Sequence, residues 1–270
     1  MLKTKLVDKI RGVFRSRRKP DAITFTGDYE RWGDAVNAST GYQSANILEK
    51  TCAALLKVKS GEAAFERDSV LFDKPDHPFP ILTGLLRAAM MNGDRLEVVD
   101  FGGSLGSSYF QCRQLLSAVR ELRWSVIEQP AHVACGRRHF EDSELHFFET
   151  VDECLTRQKP HVLLLSGVLQ YLSDPHSKLG QLLRHRFEHV ILDRLPFLES
   201  DRDRLTVQAV PETIYSASYP AWFFSRTKFD VAMLEAGYEC VVEFQGADKV
   251  SPEDEPAEFK GFIFQRKGPA

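Results

Sequence analysis

The sequence has no apolar run approaching the roughly 20 residues that a bilayer-spanning helix requires, so no segment is read as a membrane span. Cysteine is scarce. Five are present (Cys52, Cys112, Cys135, Cys154, Cys240), an odd number with no C-x-x-C pair, which leaves neither a disulfide framework nor a zinc knuckle readable. Reduced thiols in a cytoplasm are the expectation, with no metal. Net charge is small, −3. Gly-Lys-Ser/Thr after a glycine loop is missing, which excludes a phosphate-cradling P-loop. There is no internal repeat and no low-complexity tract. What is present is ordinary globular material: 270 residues, 43% hydrophobic and 27% charged, enough for one large or two small domains. A chain of this size buries roughly 70 to 75% of its unfolded surface and needs no cross-link to hold a core.

The charge is unevenly placed. Residues 1–20 carry eight Lys/Arg and a single acid, Asp8, so that the arm is basic and the remaining body acidic at −10. Leu2, Leu6, Val7, Ile10, Val13 and Phe14 recur there at three- and four-residue steps, as on a helix with an apolar stripe and a cationic face. Such a helix could lie on an anionic membrane surface, at the inner face of the cell membrane, or pack its stripe on the body. A cleaved signal peptide is not expected, since no apolar core of about seven residues and no small-residue cleavage site follow.

Residues 21–93 read as a mostly helical cap, with helices over Asn46–Lys57 and Ile81–Met91 separated by Asp73–Pro80, whose three prolines prevent a helix from continuing. From residue 94 the pattern changes. Leu96–Phe101, Trp124–Ile127, Leu145–Phe148, His161–Leu165 and His189–Leu192 are short, near-continuous apolar runs alternating with helical segments. That alternation predicts crossover units and a parallel sheet buried on both faces, an α/β doubly wound class. Residues 194–224 show no clear period and are expected to form an insertion, a lid. A helix over Arg226–Ala236, stopped by Gly237, and a terminal antiparallel hairpin of Tyr238–Phe244 and Phe259–Arg266 complete a domain spanning 94–270.

Two motifs carry chemistry. Val98-Val99-Asp100-Phe101-Gly102-Gly103-Ser104-Leu105-Gly106 is a strand ending in an acid, a small-residue turn and the start of a helix, where bare backbone lets a cofactor approach free amide N–H groups. The dinucleotide pattern G-x-G-x-x-G started at Gly102 meets one glycine of three. D-x-G-x-G-x-G, the turn of S-adenosylmethionine enzymes, is matched by Asp100, Gly102 and Gly106, with Ser104 at the middle glycine. Glu128 ends the next strand 28 residues after Asp100, where an acid accepts the two ribose hydroxyls of an adenosine. Phe147-Phe148-Glu149 closes the third strand, and Thr150 with Glu153 makes a capping box. Phe148 is a candidate neighbour of the adenine, the alternative for either Phe being ordinary core.

With Leu164-Leu165-Ser166-Gly167-Val168-Leu169-Gln170-Tyr171-Leu172 added, the chain resembles class I S-adenosylmethionine-dependent methyltransferases. It is more closely similar to a family of bacterial methyltransferases associated with surface-polysaccharide gene clusters, through Phe25-Thr26-Gly27-Asp28-Tyr29, Trp32, Gly41-Tyr42, Asp193-Arg194-Leu195-Pro196-Phe197 and Tyr219-Pro220-Ala221-Trp222-Phe223-Phe224. The resemblance implies a Rossmann-like, mostly parallel seven-stranded sheet of order 3-2-1-4-5-7-6 and S-adenosylmethionine as cofactor. By position it implies Asp100, Gly102, Gly103, Ser104 and Gly106 around the methionine moiety, Glu128 on the ribose, and Ser166 and Gly167 beside the sulfonium.

No Asn/Asp-Pro-Pro-Tyr follows the fourth strand and the body is acidic, which disfavours nucleic acid as acceptor. A small-molecule or glycan hydroxyl is expected instead. Acceptor contacts are sought in Arg194, Tyr215, Tyr219, Trp222, Tyr42 and His77, with Glu212 also in the insertion. Asp193, Arg194, Tyr219 and Tyr171 are the candidates for chemistry, without a base being assigned. A competing reading is a cofactor-binding protein without turnover, whose aromatic insertion serves a partner.

Overall fold

The computed structural model describes residues 22–268 apart from 42–43, 68, 212–216, 247, 249 and 253, and excludes the side chains of 44–46. The basic arm 1–20 and the candidates Tyr42, Glu212 and Tyr215 lie outside the described residues.

The central sheet is built on β4 (Arg95–Phe101), β5 (Glu121–Ile127), β6 (Leu145–Phe148), β7 (Val162–Ser166) and β8 (His189–Leu198). All neighbours among them pair in parallel, in the spatial order β6-β5-β4-β7-β8. The reason is the one the apolar runs announce: Val98, Val99, Val126, Leu163, Leu164 and Ile191 are each no more than 1% exposed, with helices covering both faces. At the far edge β12 (Ala257–Arg266) pairs antiparallel with β8, and β11 (Tyr238–Gln245) pairs antiparallel with β12. Numbered from β4, with the inserted β9 and β10 set aside, the order is 3-2-1-4-5-7-6. This is the Rossmann-like methyltransferase fold.

Helices α4 (Ser107–Leu116), α5 (Pro130–His139), α6 (Val151–Arg157), α7 (Pro175–Leu183) and α8 (Arg226–Glu235) make the crossovers. The Thr150 hydroxyl accepts from the Glu153 N–H, and Glu153 reaches back to the N–H of Glu149, one residue before the cap.

The structure departs from the sequence expectation in two segments. Residues 21–93 contain α1 (Trp32–Asn37), α2 (Ser44–Ser60) and α3 (Phe79–Met91), but also β1 (Thr24–Tyr29) and a hairpin of β2 (Phe65–Arg67) and β3 (Val70–Phe72). α3 starts within the proline stretch, Pro80 being tolerated in a first turn where its missing N–H has no partner to lose. The stretch after β8 is likewise regular. β9 (Arg204–Val210) and β10 (Ala217–Ser225) pair antiparallel, and β1 adds to the outer edge of β9. β10 then joins the main sheet in parallel through Phe224 with Phe197 and Ser225 with Leu198. No period is visible in β9 because its polar residues are buried too: Arg204, Thr206 and Gln208 are 7%, 0% and 4% exposed. Each is satisfied, Arg204 by the Gly27 carbonyl and the Asp254 carboxylate, Thr206 by the Ala221 carbonyl, and Gln208 by Tyr171 and Tyr219. Pro220 masks β10 in the same way, since proline ordinarily argues against a strand with neighbours on both sides. β8 runs past its apolar part because Arg194, at φ 60°, turns the strand and a second apolar run, Leu195–Leu198, pairs onward.

Candidate active site

The carboxyl ends of β4, β5, β7 and β8 open toward one side, and most of the candidate residues gather there. Asp100 is 1% exposed, and its Oδ2 accepts from the Trp124 indole Nε1 at 3.0 Å. Burial pushes its carboxyl up to about 7, against the lowering effect of the indole hydrogen bond and with a further push from the Glu128 charge. The turn above it is tight. A Cβ on Gly103 would lie 2.4 Å from the Asp100 carboxyl, and one on Gly102, at φ +72°, would lie 2.3 Å from Val168 Cγ2. Asp100 is thus a post under the turn. Ser104 adopts φ 55°, the left-handed conformation that the usual glycine takes without strain. Gly106 caps α4 at φ 94°, and Ser107 Oγ donates to the Glu66 carboxylate, a buried acid supplied by β2.

Glu128 follows β5, half-buried, its N–H bound to the Phe148 carbonyl and its Oε2 accepting from the Gln129 N–H at 2.8 Å. Oε1 accepts no hydrogen bond among the described residues, which leaves it available to a hydroxyl donor. Phe148 is 3% exposed and belongs to the core with Ile127 and Val151, its ring covered rather than open. Ser166 ends β7 in register with Asp193 of β8, and the Gly167 N–H donates to the Asp193 carbonyl. Gly167, at φ +64°, turns beside the Arg194 guanidinium.

Beyond β7, the short 3-10 turn Leu169–Tyr171 faces β10. Tyr171 and Tyr219 meet edge to face with centroids 5.5 Å apart, and Gln208 bridges them, accepting from the Tyr171 hydroxyl at 3.0 Å and donating to the Tyr219 hydroxyl at 3.3 Å. Trp222 Nε1 donates to the Leu172 carbonyl at 3.1 Å. Arg194 pairs with Asp248 at 2.9 Å, and its carbonyl accepts from Gln170. Burial raises the Asp193 carboxyl above the usual carboxylate range, opposed by Arg194 and, at longer range, by Arg67. His77 is half-buried and stacks edge-on against Phe79 at 5.9 Å; its neighbour Asp76 pairs with Arg67 at 3.4 Å.

Three residues here had no signal in the sequence. Gln208 lies in a strand whose buried polar face hides its period. Gln170 is 4% exposed with Oε1 unpartnered, and Glu66 sits in a three-residue strand.

No family model matches the chain, and no curated protein matches it. Among solved structures, the N-terminal domain of EvdMO1, crystallised in the presence of SAH and D-fucose, superposes with a TM-score of 0.49 at 14% identity, covering 84% of this chain and 98% of that one. CalS10, an amino pentose methyltransferase of Micromonospora echinaspora, gives 0.43 at 14% identity over 68% and 89%. Magnesium protoporphyrin IX methyltransferase of Synechocystis PCC 6803, with bound SAM, gives 0.45 at 10% identity over 70% and 79%. The fold assignment stands on the sheet order itself. No helix among the described residues is long and apolar enough to cross a membrane.

Proposed function

We propose that this protein is an S-adenosylmethionine-dependent methyltransferase that methylates a hydroxyl of a sugar or another small molecule. The observation that carries the reading is the pairing of a left-handed glycine turn, Gly102 to Gly106, at the tip of β4 with Glu128 at the tip of the adjacent β5, on a sheet of order 3-2-1-4-5-7-6. The residues fit the cofactor: Glu128 keeps one carboxylate oxygen open for the ribose diol, and the turn residues 102–106 would hold the methionine end beside Ser166 and Gly167. When bound, S-adenosylmethionine supplies a sulfonium methyl open to in-line displacement.

The chain's own task is then alignment, and removal of a proton if the acceptor is a hydroxyl. In this reading 94–270 is the methyltransferase domain, 21–93 its cap, and β9 with β10 the wall against which the acceptor rests. Tyr171, Tyr219 and Trp222 offer aromatic faces to a sugar ring. Asp193, Arg194 and Tyr219 are the groups nearest in chemistry to handling a proton or an anionic substituent, although Arg194 must first leave Asp248. A role in surface-polysaccharide synthesis, a cytoplasmic location and contact of residues 1–20 with an anionic membrane belong to the same reading.

Thermal unfolding with S-adenosylmethionine, S-adenosylhomocysteine and NAD tests it. At a hundredfold excess over Kd a ligand adds about 2.7 kcal/mol, a rise of roughly 5 °C for a chain of this size. A rise with the two adenosyl ligands alone is expected. A rise with NAD alone, or none, would refute the assignment.

A further inference from the structure

Away from the strand tips, helices α2 and α5 lie side by side over the sheet, and between them is a hollow of about 510 Å³ with a mostly apolar lining, into which Glu49 and Cys52 come from α2 and Cys135, Arg138 and His139 from α5. The sulfur atoms of Cys52 and Cys135 and a ring nitrogen of His139 all lie within 4.8 Å of one another, each residue half-buried. Cys135 and His139 are four residues apart, so one turn of α5 stacks them on the same side, and Cys52 meets them from the opposing helix. We propose that these three side chains form a metal site for a soft or borderline divalent ion, zinc foremost, that ties the cap helix α2 to α5.

The donor set argues for this class of ion. Two thiolates and an imidazole suit zinc, whereas hard ions such as magnesium and calcium take oxygen ligands. The size agrees as well. With metal–sulfur bonds of about 2.3 Å a tetrahedron has ligand–ligand edges of about 3.8 Å, so a closure of roughly 1 Å, within reach of side-chain rotation, completes three corners. The fourth faces the mouth of the hollow, where Glu49, one turn before Cys52 on α2, can supply a carboxylate or hold a bound water. Loading displaces the two thiol protons to solvent as two metal–sulfur bonds form, with no change of oxidation state. The site is assembled from residues more than 80 positions apart in sequence, Cys52 and Cys135, so no local spacing motif announces it. α5 begins at Pro130, two residues after Glu128, so an ion here would brace the cap against the helix that follows the proposed ribose ligand. The proposal does not depend on the methyltransferase reading.

The test uses the full chain, stripped of metal and kept reduced with a phosphine, with five free thiols verified chemically. Cobalt(II) titration should saturate at one equivalent, with thiolate-to-cobalt charge-transfer bands and the intense visible bands of a tetrahedral ion, and zinc should displace it. Zinc should also raise the unfolding temperature. Cys52→Ser and Cys135→Ser should each weaken binding at least a hundredfold and reduce the charge-transfer band, and His139→Ala should weaken binding while sparing that band. Cys240→Ser, at an exposed cysteine elsewhere, should change nothing. Circular dichroism and cooperative urea unfolding establish that each variant is folded. Absence of the thiolate band in the folded, reduced protein would overturn the proposal, as would binding indifferent to Cys52→Ser and Cys135→Ser. Isolation without reductant of a Cys52–Cys135 disulfide that retains no metal would also overturn it.

Discussion

The Trp124 indole reaches from β5 across to β4 and holds the Asp100 carboxyl at 3.0 Å, directly beneath the position where Gly103 has no side chain. An acid that sequence reasoning aims at a ligand is therefore also part of the frame of the turn, and that double position is testable by pH.

With its carboxyl raised to about 7, Asp100 binds a proton in the folded state between about pH 4 and pH 7 that the unfolded chain has released. Its contribution to stability accordingly falls as pH rises through that window. Asp100→Asn cannot titrate, and whatever the amide costs in lost or orphaned hydrogen bonds is the same at every pH. Relative to wild type, the variant should gain more than about 1 kcal/mol between pH 4.5 and pH 8. Urea unfolding at the two pH values measures this, and a constant difference would show that the acid ionises freely.

Gly103→Ala would force a methyl group onto that carboxyl. Overpacking of this kind costs about 1 to 3 kcal/mol. Because the clash has one identified partner, Asp100→Ala should recover part of the loss in the double variant, a coupling that distant sites lack. Strict additivity in a double-mutant cycle would mean that the turn relaxes elsewhere.

Glu128 is half-buried and its carboxylate accepts only from the neighbouring Gln129 N–H among the described residues, so Glu128→Ala should unfold within about 1 kcal/mol of wild type. It should nonetheless bind S-adenosylhomocysteine roughly tenfold to a hundredfold more weakly, the worth of one charged hydrogen bond of about 1.5 to 3 kcal/mol. Calorimetric titration reads this loss directly. Unchanged affinity would remove Glu128 from the proposed ribose contact.

At the opposite end of the sheet, His189 is 2% exposed with Nδ1 unpartnered, its ring 6.4 Å from that of His161. Burial, then Arg87 and His161, push it down to about 4, with only Glu188 opposing. A histidine held neutral in the folded state contributes stability that is present above about pH 6.5 and is lost as pH falls toward 4. This is the reverse of Asp100 in an overlapping window, so the two contributions partly offset each other in the wild-type profile. The difference between wild type and His189→Gln should shift by roughly 2 to 3 kcal/mol against wild type between pH 7 and pH 4.5. A parallel pair of profiles would refute it.

The parallel strands were legible because both of their faces are buried, which turns them into apolar runs such as Val162–Leu165 that no surface element imitates. Their order was supplied by family resemblance, since apolar runs alone do not rank neighbours. β9 and β10 were hidden for an opposite reason: Arg204, Thr206 and Gln208 are buried and hydrogen-bonded, and polarity was read as exposure. In the candidate site, Glu128 and the turn residues were visible as candidates because an acid and glycines stand at strand tips at a recognisable spacing. Gln208, Gln170 and Glu66 were not, because their positions depend on contacts between distant segments, as does the meeting of Cys52 with Cys135.

The β1-β9-β10 panel is paired sheet and not loose loop. A loop that covers a cleft opens and closes over microseconds to milliseconds, and such steps often limit turnover. Here the described part of that cover is a hydrogen-bonded ladder, locked to the main sheet by Phe224 and Ser225 and to the cap by β1. Swinging it aside as a body would mean breaking backbone pairs. Rotation of single side chains such as Tyr171 and Tyr219 is faster by orders of magnitude, so catalysis behind a fixed wall would show little dependence on solvent viscosity, with the chemical step left to set the pace.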